Sequence, residues 1–454
     1  MIGQEKEPAV KSLLSNFTIL LPGATVGPDL SKHFLIDKNH KEHHIFFNND
    51  GFHNHLLHHY LSALSLGATN QRLQEIYDFH ASYMRPLPDA IHTIDLNSEK
   101  NDYQELFGNH DAYTSFLNFF TKEIKHHGMM DTIRKWVFRQ DNDMLSRTIG
   151  GIYHPLIHLG YAVEFNLPNV AAEGLALAAC EDDSLLPFLK ATTTTSSEVT
   201  GQSDESQKED EQEYTSKSGT ETFESIIAKV KNDSDLDGLV EFGDARSSFK
   251  IFTNDKAIAI LGEYAAQWEY KDPQTSLREL YIQSMLLYAS TGIRGQEIKL
   301  DFFLMHCLTS MHAMQVILPH LSSVQVERSL RFHVVQALLL YVRCGRPSLE
   351  IKSLQNYKAP GMNKDNDNPW LDVVRQALNA RDVHCIKAIR ALALGQIIYR
   401  DAFNNNEDLW LKAAQATLSV AGVHEDTTEC ENFTEETRRC WNFDGIGFEE
   451  TWNE

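Results

Sequence analysis

Eight stretches of this chain carry the apolar period of an α-helix: 113–126, 152–165, 168–180, 255–271, 277–291, 324–343, 382–401 and 407–420. Apolar residues recurring at this spacing give each stretch one face to bury as a helix, and a strand cannot use the same spacing. Strand-like alternation is scarce, with FKIFTN at 249–254 the best case. Turn residues separate the helices at Leu66-Gly67, Asn166-Leu167-Pro168, Gly345-Arg346-Pro347 and the Pro/Gly/Asn-rich stretch 358–368. The expected fold is all-α. It is a multi-helix, single-core bundle built from αα-hairpins across residues 1–454.

Two segments depart from this pattern. Residues 191–221 are Ser/Thr-rich and acidic, with almost no large apolar side chains. Such a segment cannot offset its ordering entropy, so a disordered insertion is expected. The tail from 424 to 454 is acidic but retains Phe433, Trp441, Phe443, Phe448 and Trp452, so it is expected to dock on the body.

The net charge of −22 excludes a general nucleic-acid binder, because phosphate binding needs a basic surface. Six cysteines occur without a CxxC pair or framework spacing, which argues against a zinc ribbon or a disulfide scaffold. The N-terminus lacks a secretory pattern, and no stretch reaches the ~18 apolar residues of a membrane helix. A cytoplasmic protein is expected, with no membrane partner. The oligomeric state is not legible.

Four histidines sit on four separate apolar segments. They are His58 in HNHLLHHYLSALSLGA, His158 in GGIYHPLIHLGYAVEF, His306 in LDFFLMHCLTSMHA and His384 in RDVHCIKAIRALAL. Each segment is followed, after a turn, by a second helical stretch, so the chain reads as four hairpins with one histidine each. A single histidine on an apolar face is more often a hydrogen-bonded core residue than a ligand. Local pairing raises the odds here: His55 precedes His58 and His59 on one face, and His154 and His158 are an i, i+4 pair. His40, His43 and His44 lie in a polar stretch and read as ordinary.

Converging imidazoles would suit zinc, copper, iron or nickel. No Asp or Glu lies one turn from His58, His158, His306 or His384, so a dication there would be uncompensated. Lys387, three residues after His384, then stands out. Beside a metal its pKa should fall, and a neutral amine can add carbon dioxide to become an anionic carbamate ligand. The competing reading pairs Lys387 with an acid elsewhere. No GxGxxG follows a strand, and GxxxxGK[ST], GxSxG and HExxH are absent.

HNHLLHHYLSALSLGA, HPLIHLGYAVEF, LDFFLMHCLTSMHA, YVRCGRP and HxxKxxRAL at 384–392 resemble the questin oxidase-like family over about residues 50–400. The resemblance implies oxidative opening of the central ring of an anthraquinone-type polyketide in fungal secondary metabolism. The family is often labelled Baeyer–Villiger and linked to a reduced nicotinamide. An Fe(II) centre that activates dioxygen fits the histidines better. The matched positions are His58, His158, His306 and His384, with Lys387 as a fifth, carboxylated or acting in catalysis. His55 or His59 could replace His58, and His154 could replace His158. The alternatives are a metal-free, NADPH-dependent Baeyer–Villiger-type monooxygenase and a non-catalytic helical scaffold that binds zinc.

Overall fold

Each of the eight expected stretches is a helix. The computed structural model describes residues 33–96, 103–138, 143–192, 219–243, 247–295, 297–360, 368–403, 408–422 and 433–453. Most of the predicted insertion, 193–218, lies outside the described residues, as do 1–32 and the start of the tail. The fold is all-α. Among the described residues the only strands are Ile293–Arg294 and Glu297–Ile298, a two-residue antiparallel pair.

Four helix pairs organise the site. α1 (Leu56–Ser65) packs on α2 (Asn70–Ala81), and α3 (His154–Glu164) on α4 (Pro168–Cys180). α5 (Phe302–Ile317) packs on α6 (Ser323–Arg343), and α7 (Val383–Ile398) on α8 (Leu409–Ala421). The first helices also pack in a ring: α1 on α3, α3 on α5, α5 on α7, and α7 back on α1. Their starts are fixed locally. Asp301 and Asp382 cap α5 and α7 by accepting from the first-turn N–H groups, and Asn54 accepts from Leu56 N at the start of α1. Left-handed residues make the turns the sequence marks, with φ of 87° at Gly67, 52° at Asn166 and 81° at Gly345.

The apolar core is continuous from Leu35 to Ile446. α5 lies at its centre. The run Phe302–His320 is long and apolar enough to cross a membrane, yet it is 89% buried inside the protein, which makes it a core helix. FKIFTN is not a strand. Ser247–Thr253 forms a 3-10 helix with Ile251 buried against α6. With no sheet beside it, an extended segment would leave its N–H and C=O groups unpaired, whereas a tight helical turn bonds its own.

One close approach sets the spacing at the site. A Cβ on Gly160 of α3 would lie 2.5 Å from the Ala313 Cβ of α5. Gly160→Ala is therefore expected to force the two helices apart and to cost about 1–3 kcal/mol despite alanine's better helix propensity. Thermal melting checks this, and an unchanged midpoint would show that the contact gives way freely.

Candidate metal centre

The first turns of α1, α3, α5 and α7 converge, and each delivers one imidazole. His55 is the N-cap of α1, His154 the first residue of α3, His384 the second of α7, and His306 lies in the first turn and a half of α5. One ring nitrogen from each lies within 4.8 Å of the others, and all four residues are buried. Four donors at ~2.1 Å from one ion would lie about 3–4 Å apart, so a small contraction closes the set.

Hydrogen bonds at the outer nitrogens fix the tautomers. His55 Nδ1 donates to the His53 carbonyl at 2.7 Å, His154 Nδ1 to the Gly151 carbonyl at 2.7 Å, and His306 Nδ1 to the Phe302 carbonyl at 2.8 Å. A carbonyl only accepts, so these Nδ1 atoms carry the protons and the Nε2 lone pairs face inward. His55 Nε2 and His154 Nε2 stand 3.0 Å apart. Two bare lone pairs at that distance repel unless a cation lies between them. His306 Nε2 is also buried, with no hydrogen-bond partner among the described residues. Burial, and next the charge of Lys387 or of neighbouring histidines, pushes His55, His154 and His306 far below the usual histidine range. His384 is lowered to about 4, mainly by burial. All four are neutral at pH 7, the form that binds a metal.

The local backbone explains the aim of His154. Gly151, Ile152 and Tyr153 are all left-handed, with φ of 54°, 54° and 63°. Two non-glycine residues there cost about 1 kcal/mol or more each. The turn is held by a fully buried Tyr153, whose hydroxyl donates to the His333 carbonyl at 3.3 Å. His53 stacks on His154 at 4.2 Å and bonds Glu181 at 2.6 Å. Asp382 serves His384: its carboxylate lies 3.3 and 3.4 Å from Nδ1. Asp382 is not one helical turn from His384 but two residues before it, at the cap, so helical spacing does not reveal it.

Two expected ligands lie elsewhere. His58 and His158 point away from the cluster into a buried chain. His58 Nε2 lies 3.2 Å from His158 Nδ1, and His158 Nε2 is 3.1 Å from Glu173 Oε2. Glu173 Oε1 then meets His40 Nδ1 at 2.7 Å, so His40 is not an ordinary polar-stretch residue. His59 pairs with His80 at 3.1 Å. His55 and His154, one turn earlier, take the places of His58 and His158. His55, His154 and His384 enter from the starts of their helices, but His306 is the fifth residue of α5, the position His158 holds in α3, so the packing of the helices and not the position along them selects the rings. His306 and His384 lie where the sequence reading put them.

Burial raises the Glu173 carboxyl, but the hydrogen bonds and charge of His158 and His40 outweigh it and hold it at about 2, against an ordinary 4.5. A depressed carboxyl stabilises the fold above its unfolded pKa and loses that contribution as pH falls through the folded value. The melting-point gap between wild type and Glu173→Gln is therefore expected to be full above pH 4.5 and to close towards pH 2. A gap that stays constant across that range would contradict it.

Lys387 is buried, and its Nζ has no hydrogen-bond partner among the described residues. Burial lowers it to about 7, with Asp382 opposing, and its charge is felt at all four clustered rings. It also borders a cavity of about 20 Å³ together with Glu164, His312 and Arg390. His55, His154 and His384 line a separate cavity of about 1110 Å³ whose walls include Phe302, Phe303 and Phe443. This is large enough for a polycyclic aromatic, and aromatic walls suit a planar one.

A family model described as questin oxidase-like matches residues 52–392. The Baeyer–Villiger oxidase AgnL3 of Paecilomyces divaricatus is 28% identical over 404 residues, covering 84% of this chain and 83% of its own. A questin oxidase of Aspergillus terreus is 27% identical over 441 residues, 94% of this chain and 93% of its own. The Baeyer–Villiger monooxygenase dmxR6 of a Cryptosporiopsis species is 28% identical over 402 residues, covering 84% and 86%.

Proposed function

Because the chain belongs to the questin oxidase-like family and is an oxidoreductase, we propose that it is a non-haem iron dioxygenase of fungal secondary metabolism. It opens the central ring of an anthraquinone-type polyketide to give a benzophenone. The relatives' names support the substrate class and the oxidative chemistry. The observation that carries the metal is the 3.0 Å approach of His55 Nε2 to His154 Nε2, with both outer nitrogens committed as donors. His55, His154, His306 and His384 would hold the ion. When bound, ferrous iron supplies the activation of dioxygen.

The remaining work falls to this chain's own residues. Phe302, Phe303 and Phe443 exclude water and orient a flat substrate beside the four rings. Four neutral imidazoles leave a dication offset only by the Asp382 carboxylate behind His384, and helix starts are themselves positive. Lys387 answers this. With its amine lowered to about 7 by burial, a large fraction is unprotonated at neutral pH. Its nitrogen lone pair bonds the carbon of carbon dioxide, one proton leaves, and the carbamate oxygens carry the negative charge.

The test is incubation of iron-loaded protein with a reduced hydroxyanthraquinone under ¹⁸O₂. A benzophenone bearing ¹⁸O supports the reading, and recovery of unopened substrate sinks it. A second reading, which fits the Baeyer–Villiger names of the relatives, is a metal-free monooxygenation in which dioxygen supplies the oxygen atom and a reduced nicotinamide supplies the electrons. Ring opening by chelated protein that requires NADPH would favour it.

A further inference from the structure

The C-terminal segment beyond the family match closes directly over the histidine cluster. The backbone of Asn442 donates to Leu300 O at 2.9 Å and accepts from Phe302 N at 3.0 Å, which fastens the segment to the start of α5. Phe443 stacks on Phe302 at 4.4 Å. The contacts with most chemical content go to Asp382. Trp441 Nε1 donates to Asp382 Oδ1 at 2.9 Å, and Thr437 Oγ1, at the end of α9 (Phe433–Cys440), donates to Oδ2 at 2.8 Å. Thr437, Trp441 and Asp382 are all buried.

The same carboxylate has two other tasks. Its Oδ1 accepts from the backbone N–H of His384 at 2.8 Å and caps α7, while the carboxylate as a whole takes the His384 Nδ1–H. An ionised carboxylate has about four acceptor positions. The tail donors fill one side on each oxygen and so set the rotation of the group. In this rotation both oxygens lie 3.3–3.4 Å from His384 Nδ1, on the far side of the ring from Nε2. Outer-sphere partners of this kind orient ligating histidines and raise their basicity.

We infer that Thr437 and Trp441 are positioning residues for the metal centre, acting through Asp382 on His384, so that the centre of this chain is completed by a segment lying outside residues 52–392. This rests on the metal-centre reading above. Removing either tail donor takes away one of the bonds that hold the carboxylate against His384 Nδ1, leaving the cap bonds from His384 N and Cys385 N and the other tail donor, and so loosens the direction of the His384 ring.

The test uses Co(II) as the probe, titrated into full-length metal-free protein and followed by its visible absorption and dissociation constant. Thr437→Val keeps the buried volume and removes only the donor, while Trp441→Phe removes the donor together with part of the ring. Each is expected to weaken Co(II) binding by about 10–100-fold and to alter the absorption envelope. Thr437→Ser keeps the hydroxyl and is expected to bind as wild type does, which separates orientation from simple packing. Variants that bind Co(II) with wild-type affinity and spectrum would overturn the inference while leaving the metal centre standing. A wild-type protein that binds no Co(II) would remove the metal centre and this inference together.

Discussion

His306→Ala and His154→Ala proteins are expected to carry only background iron, against about one ion per chain in wild type, while His58→Ala keeps its iron. The split follows from where the three rings sit. His306 and His154 each aim a bare Nε2 into the cluster, their outer nitrogens being used on carbonyl oxygens. His58 bonds His158, and its loss removes one link from a buried chain rather than a donor. Changing a partner behind a ligand already costs about 10–100-fold in affinity, so losing the ligand itself should cost more. Elemental mass spectrometry on the three proteins decides it. Iron lost from His58→Ala and retained in the other two would invert the assignment made here.

Lys387→Met is expected to move metal content and stability in opposite directions. Methionine matches the length of the lysine stem without its amine. In the metal-free protein, removing a buried amine with no hydrogen-bond partner among the described residues relieves a cost of about 1–3 kcal/mol, so the melting point should rise. In the loaded protein the anionic ligand is gone, and iron occupancy and turnover should fall about tenfold or more, the scale of one lost ligand interaction. Wild-type protein stripped of carbon dioxide should behave like the variant and recover on addition of bicarbonate, whereas the variant should not. Full occupancy and turnover in Lys387→Met would end the carbamate assignment.

The helices were legible because their apolar faces repeat over many turns, and the histidines because an imidazole among Phe302, Phe303 and Leu304 demands a partner. Which member of a histidine pair reaches the centre was not legible. His55 and His58 share one face, as do His154 and His158, and one turn of helix separates the members of each pair. The choice depends on how far each helix slides past its neighbours. A usable signal was present all the same. His154 immediately precedes Pro155, His384 follows the capping Asp382 by two residues, and His55 precedes the first residue of α1. All three mark the entry of a helix, whereas His58 and His158 are the third and fifth residues of theirs; His306, the fifth residue of α5, carries no such mark. FKIFTN misled because a short apolar cluster fits a 3-10 turn as readily as a strand.

The ring of four helices has a consequence for the order of events in the cell. Its donors are spread from His55 to His384, and the clasp on Asp382 comes from Thr437 and Trp441. If the proposed metal centre holds, the full donor set and its clasp exist only once residues through Trp441 have emerged, so the ion would be captured late in folding. Because the unfolded chain offers no such site, a bound ion would act as a lock by mass action, adding about 2.7 kcal/mol at a hundredfold excess over its dissociation constant. Scarcity of iron would thus be felt as a shorter-lived protein as well as a slower one.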